Sequence, residues 1–437
     1  MASNTPPSKT DRILIIGAGV FGLSIALELA TRGYQNLTVL DRYPPPVPDG
    51  SSVDISRIIR SDYADPVYSQ MAREALSGWK SDYAAHYHHS GFVMLSETPS
   101  NPYISQVLQI ARAQGRRPLD EYPNANGLKP TYPSIQADLH ALKAYHNPDG
   151  GWADAASSIR HLAHRCRLAG VSFITGPRGT VISLRKSPAT QRVVGVTVRT
   201  GEHLPAAHVI LATGAWSNLL VDLAHTASAS GQPVGFIQLN DAEAESLRRF
   251  PVMINLTSGI FCFPPTPGTN VLKVARHSYG FATRMGGDGD GDGGREEVVV
   301  SAPKRDESNA VSAFLPQDAD DALRQGLRQL VPQFAHYPWS NRRLCWYTDT
   351  PEGDFVVDWH PGLEGLFVAT GGAGHAFKFL PVLGRYTADC FENCAPDNIR
   401  RKWRLRVPVG DEKVKIGDGS RAGPPLRTLT AAEQSKL

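Results

Sequence analysis

The stretch Arg12–Gly22 constrains this chain more than any other. Ile13-Leu14-Ile15-Ile16 leads into Gly17-Ala18-Gly19-Val20-Phe21-Gly22, and a helical pattern follows through Ser24–Arg32. A second apolar run, Leu37–Leu40, ends at Asp41, nineteen residues after Gly22. Strand, glycine turn, helix, strand and terminal acid predict a βαβ unit that opens a doubly wound sheet. The glycines permit a tight turn and let a pyrophosphate approach the backbone. The helix N-terminus offers free N–H groups and its positive dipole end, and Asp41 can accept from ribose hydroxyls. A GxGxxG alone is a weak signal, but a turn without a ligand would not need the whole set. The dinucleotide site expected here includes Gly17, Gly19, Val20, Phe21, Gly22, Asp41 and Arg42.

At 437 residues the chain exceeds the usual single core, so two domains are expected. Helical spacing predicts helices over 66–83, 155–169 and 318–331, and strands over 92–95, 181–184, 193–198, 209–212, 234–239, 355–357 and 366–369. These patterns predict an α/β fold: a Rossmann-like domain over 8–95, 150–225 and 340–398, interleaved with an α+β substrate domain on a mixed or antiparallel sheet over 96–149 and 226–339. The run GGDGDGDGG at 286–294 reads as a loop; one glycine-aspartate copy without a β-helix context does not make a calcium site. Residues 399–437 read as a flexible tail.

The net charge of +3 belongs to that tail, which holds ten Lys/Arg against four Asp/Glu from Arg400 onward. Arg400-Arg401-Lys402-Trp403-Arg404 has no second nucleic-acid feature beside it and reads as a solvated end. No apolar run nears the ~20 residues that span a bilayer, and no secretory leader opens the chain. Neither nucleic acid nor membrane is an expected partner. Five cysteines without a CxxC pair predict neither disulfide framework nor zinc site. The ending Ser435-Lys436-Leu437 reads as an address for the peroxisomal import receptor.

A second glycine crossing, Ala212-Thr213-Gly214-Ala215-Trp216, closes a strand far from the first. Such a crossing is typical of proteins that bind FAD, and it adds Thr213, Gly214 and Trp216 to the expected cofactor contacts. At this point four blocks resemble the monomeric sarcosine oxidase, fructosyl amino acid oxidase (amadoriase) and pipecolate–saccharopine oxidase family. They are SSVDISRIIR (51–60), VLKVARH (271–277), LCWYT (344–348) and GHAFKF (374–379). The resemblance covers residues 11 to about 395.

The resemblance implies a glutathione-reductase or D-amino acid oxidase type of FAD domain. It implies FAD joined covalently through its 8α-methyl group to the sulfur of Cys345; alone, that cysteine reads as a buried core thiol. Arg57 is then the cation that favours its thiolate. Lys273 becomes the lysine that faces the flavin and speeds reaction with oxygen; alone, it is a solvated edge residue. Arg60 and Lys378 become the pair that holds a substrate carboxylate, although each alone reads as a surface cation. His277 and Tyr347 become substrate-side residues. Ser51, Ser52, Ser56, Val181, Gly374 and Phe377 complete the implied cofactor contacts. Two positions depart from the family: the second tyrosine of sarcosine oxidases falls at about Cys262, and the sugar-binding glutamate of amadoriases falls near Arg276.

The implied function is oxidation of a secondary amine bearing a carboxylate. Hydride would pass from the carbon next to nitrogen to flavin N5, water would hydrolyse the imine, and oxygen would become hydrogen peroxide. A monomer is implied. The alternatives are a dehydrogenase or a cyclising or demethylating tailoring oxidase on the same fold, and, from another class, a flavin-binding protein without turnover.

Overall fold

A computed structural model describes residues 6–116, 119–223, 226–284, 301–305, 312–406 and 417–437. The glycine-aspartate run at 286–294 lies outside the described residues. Arg12–Ile16 sits near the centre of a sheet with strand order 356–359, 366–370, 208–211, 12–16, 36–40, 172–174. All neighbours run parallel except 356–359, which is antiparallel to 366–370. Ile13, Leu14 and Ile15 are fully buried because both faces of the strand are covered: Ile13 and Ile15 cluster with helix residues such as Leu23, Ile159 and Leu383, and Leu14 and Ile16 with Val181, Val196 and Leu204 of the three-stranded sheet 181–186, 193–198, 203–205. The helix Val20–Thr31 follows the glycine turn and packs against Leu380–Phe391 and Ala155–Leu168. Asp154 caps Ala155–Leu168 by accepting from Ser157 N, and Asp65 caps Pro66–Lys80 through Tyr68 N.

The second sheet runs 427–428, 281–282, 228–238, 271–276, 260–262, 252–255, 92–96, 143–147, 120–122, with 341–349 also pairing with 228–238. Its strands obey the period of two. Phe92, Met94, Ile254, Phe261 and Phe263 share one apolar cluster with Cys345, whereas Val93, Leu95, Met253 and Cys262 share another with Leu323 and Leu327 of the helix Gln317–Leu330. One face of this sheet is therefore covered by a helix, and the other looks toward the nucleotide-binding half.

Three expectations need correction. Phe92–Ser96, assigned to the nucleotide domain, hydrogen-bonds within the second sheet, beside 252–255 and 143–147. Asn341–Asp349, also assigned there, pairs over its length with Ser228–Gln238, so Cys345 belongs to the second sheet. The tail expected at 399–437 is ordered wherever it is described. Asp397–Trp403 is helical, and Trp403 is fully buried. Arg427–Thr428 pairs with Phe281–Ala282, and Ala431–Gln434 is a short helix with a Thr430/Glu433 capping box. Leu437 is buried, and its carbonyl accepts from Lys304 Nζ at 2.7 Å. The composition looks loose, but among the described residues Trp403, Leu429 and Leu437 are buried, and Lys402, Arg406, Arg421 and Arg427 pair with carboxylates of the body. Among the described residues, no helix is long and apolar enough to cross a membrane, and no His/Cys/Asp/Glu group is placed to hold a metal.

Candidate active site

The glycine turn forms one end of a cleft. Gly17 has φ +110°, and a Cβ there would lie 2.4 Å from the Ala212 carbonyl oxygen; at Gly22 it would lie 1.9 Å from the Gly17 oxygen. Strand 12–16, its helix and the second glycine crossing thus touch backbone to backbone, which only glycine allows. Gly19, at the helix N-cap, supplies no side-chain hydrogen bond, while Val20 N donates to Ser52 Oγ at 2.9 Å. Asp41 accepts from Ala18 N and Arg42 N, both at 2.7 Å, and burial pushes its carboxyl up. Arg42 pairs with Asp49 at 2.8 Å and lies over the Trp216 ring.

The cleft spans about 1250 Å³ of non-atom space, part of it open to solvent. Gly17, Gly19, Val20, Phe21, Asp41, Arg42, Ser51, Ser52, Val181, Thr213, Gly214 and Trp216 all line it. It continues past Arg57, Tyr347, Gly374 and Phe377, which also line a second cavity. A long dinucleotide with a ring system at its far end fits this connected shape. Among the residues predicted for the cofactor, Gly22 and Ser56 support the walls without lining either cavity.

The second cavity gathers the catalytic and substrate residues named from the sequence: Arg57, Arg60, Lys273, His277, Tyr347 and Lys378, with Cys345. Cys345 is buried, with Arg57 Nη2 at 3.6 Å from its sulfur. Lys273 is 2% exposed, which overturns the solvated-edge reading; its Nζ donates to the Ser56 carbonyl at 2.8 Å and pairs with Asp54 at 2.8 Å. Burial pulls its pKa down to about 8, and the Asp54 carboxylate resists that fall.

Arg60 and Lys378 share one seat. The guanidinium lies 4.7 Å from the Tyr63 ring centre, and the ammonium lies 5.4 Å from the same centre. Arg60 Nη2 donates to the Tyr103 hydroxyl at 2.8 Å, but Nη1 is buried with no hydrogen-bond partner. Burial, followed by the charge of Arg60, holds Lys378 well below the ordinary lysine range. His277 is likewise well below the ordinary histidine range, chiefly from burial, and it shares a hydrogen bond of 3.0 Å with Ser420 Oγ. Burial raises the Tyr347 phenol.

The structure adds residues that sequence reasoning missed. Asp54 pairs with Arg57, Lys273 and Arg343. Phe261 and Phe263 line the second cavity, while Cys262 between them is fully buried on the other face and lines neither cavity. Strand alternation around 260–263 was the available signal. Asp418 and Ser420 also line the second cavity, and the neighbouring Arg421 forks onto Asp349, with Nη1 donating to Oδ2 at 2.8 Å. Nothing local in Gly417-Asp418-Gly419-Ser420-Arg421 announces that it returns to the site.

Residues 12–390 match the DAO family, described as FAD dependent oxidoreductase. L-saccharopine oxidase of Schizosaccharomyces pombe is 31% identical, over 90% of this chain and 93% of its own. Amino acid oxidase fsqB of Aspergillus fumigatus is also 31% identical, over 87% and 92%. The solved structure of the deglycating fructosamine oxidase Amadoriase II from Aspergillus fumigatus superposes with a TM-score of 0.83, at 27% identity over 96% of each chain. The family match runs through the glycine turn, the Cys345 strand and the lining of both cavities except Asp418 and Ser420. With 12–390 of its 437 residues matched, the chain belongs to the FAD-dependent oxidoreductases of the DAO family.

Proposed function

We propose that this flavoenzyme oxidises a secondary amine bearing a carboxylate and passes the electrons to oxygen, yielding hydrogen peroxide. Arg60 carries this reading. A buried guanidinium N–H without a partner costs about 1–3 kcal/mol, and here it faces a cavity beside a lysine that burial has made reluctant to charge. A substrate carboxylate would satisfy Nη1 and restore the ammonium of Lys378. Relatives named for saccharopine and sarcosine are compatible with such a substrate.

Bound FAD would supply the hydride acceptor. The protein orients the donor: Arg60 and Lys378 fix the carboxylate, and Met94, Ile254, Phe261 and Phe263 offer an apolar wall for the rest of the substrate. The positive field of Arg60, Lys378 and Arg421 disfavours an ammonium, so the bound amine is held neutral, the form that donates hydride. His277, neutral through burial, adds no further charge. Arg57 stands with its Nη2 at 3.6 Å from the Cys345 sulfur, the atom from which the 8α-S-cysteinyl link to FAD would form. Lys273 places an ammonium where negative charge develops on oxygen. Ser435-Lys436-Leu437 would serve the peroxisomal receptor once released from its docked position.

The test is a peroxide-coupled screen of N-substituted amino acids beside their decarboxylated analogues. The acids should exceed the simple amines by ~2–4 kcal/mol in kcat/KM, on the order of a hundredfold. Equal turnover of an amine lacking the carboxylate overturns the reading.

A further inference from the structure

Three cations meet one carboxylate oxygen behind the second cavity. Asp54 Oδ2 lies 2.5 Å from Arg57 Nη1, 2.8 Å from Lys273 Nζ and 3.4 Å from Arg343 Nη2. Its Oδ1 accepts from Ile55 N at 2.8 Å, so the local turn fixes the carboxylate. The Asp54 side chain is 1% exposed, and Lys273 is 2% exposed. One anion therefore offsets three cations in a dry region. Only the lysine among them can readily release its charge, because a guanidinium does not deprotonate in proteins.

We propose that Asp54 is the residue that keeps Lys273 protonated for the reaction with oxygen, through the carboxylate oxygen it shares with Arg57 and Arg343. This rests on the reading of Lys273 as the oxygen-facing cation. In that reaction two electrons from reduced flavin and two protons convert oxygen to hydrogen peroxide, and negative charge develops on oxygen beside the ammonium. A neutral amine there would do far less. Asp54 acts through Lys273 in this arrangement; it is a positioning residue.

The balance is close. Burial pulls Lys273 down to about 8, Asp54 resists, and Arg57 adds to the fall. The titratable or charged groups facing the lysine are Asp54, Arg57 and Cys345, with Arg343 reached through Asp54. Neighbouring strands present Gln232, Val234 and Phe263, none of which titrates. Burial alone would raise the Asp54 carboxyl, but Lys273, Arg57 and Arg343 outweigh it and hold it far below the usual carboxylate range. Asp54 therefore stays charged throughout. Removing its charge leaves three unopposed cations, and Lys273 sheds its proton. Removing Arg343 eases the crowding and strengthens the hold of Asp54 on Lys273.

The experiment follows reoxidation of the reduced holoenzyme by oxygen from mildly acidic to alkaline pH. In parallel, carbon-labelled lysine NMR reads the protonation of Lys273 without turnover, its resonance identified by loss in Lys273→Met. In wild type both midpoints should fall at about 8. Asp54→Asn should move them down by at least ~1 unit, and Arg343→Met should move them up. A general structural defect would slow the reaction without moving a midpoint in opposite directions. An unmoved midpoint in Asp54→Asn overturns the proposal; if that variant does not fold, an unmoved or lowered midpoint in Arg343→Met overturns it. Lys273→Met should be slow at every pH. If Lys273→Met reoxidises like wild type, the oxygen reading fails and takes the proposal with it. If it is slow but the other midpoints do not shift, the proposal alone fails.

Discussion

Cys345 and Lys273 lie on strands of one sheet, on either side of Arg57, and each has a distinct observable. Precipitated with acid, the wild-type protein should keep its yellow colour in the pellet, and Cys345→Ala should release it. Free flavin from wild type would contradict the cysteinyl link. Lys273→Met should slow reoxidation by ~3–4 kcal/mol, a few hundredfold, while substrate reduction changes far less. Stopped-flow reoxidation checks this, and unchanged reaction with oxygen would count against it. At this scale the sequence was legible where a motif carried a residue type with its chemistry, as in Arg60, Lys273, Cys345 and Lys378, which the fold brings into one cavity. It was illegible where a role depends on which way a side chain points. Cys262 occupied the motif position, but a strand turns successive residues to opposite faces, and Phe261 and Phe263 face the cavity instead.

The segment 417–423 shows the same limit for an element. Its glycines and charges have the composition of a loose tail, and no periodicity marks it as structure. What orders it is long-range pairing: Arg421 donates to Asp349 and to the carbonyls of Ser278 and Ala373. Breaking a buried ion pair by removing one partner strands the other charge. Arg421→Met should therefore cost about 3–5 kcal/mol in urea unfolding, while Arg427→Met, on a more exposed pair with Asp318, should cost no more than ~1 kcal/mol. Equal losses would show that the segment does not depend on this anchor. The βαβ opening, by contrast, was readable because its pattern, turn and caps are local in the chain. Membership of 92–96 and 341–349 in the second sheet was not, because pairing partners lie far away in sequence.

For the whole molecule, buried histidine sets the response to acid. His375 shares hydrogen bonds with the Gly353 carbonyl at 2.7 Å and the Tyr63 hydroxyl at 3.2 Å, and burial lowers its pKa from 6.5 to about 3. Below 6.5 the unfolded chain binds a proton that the folded chain refuses, so stability should fall as pH drops from 6.5 toward 3. Asp54 works in the same direction at lower pH, since its depressed pKa contributes stability that acid removes. Loss of unfolding free energy should thus begin near pH 6, before carboxylates protonate at ~4. His375→Gln should make that first part of the curve shallower, leaving the share that His277 contributes. A profile flat down to the carboxylate range would contradict this.

Both halves of the molecule meet where the two cavities join, and the most direct measurement is made there without oxygen. Anaerobic mixing of the holoenzyme with an N-substituted amino acid should bleach the visible flavin band, and Arg60→Ala should require on the order of a hundredfold more substrate for the same rate. A wild-type flavin that stays oxidised with every carboxylate-bearing secondary amine, or that bleaches equally fast with decarboxylated amines, would contradict the assignment.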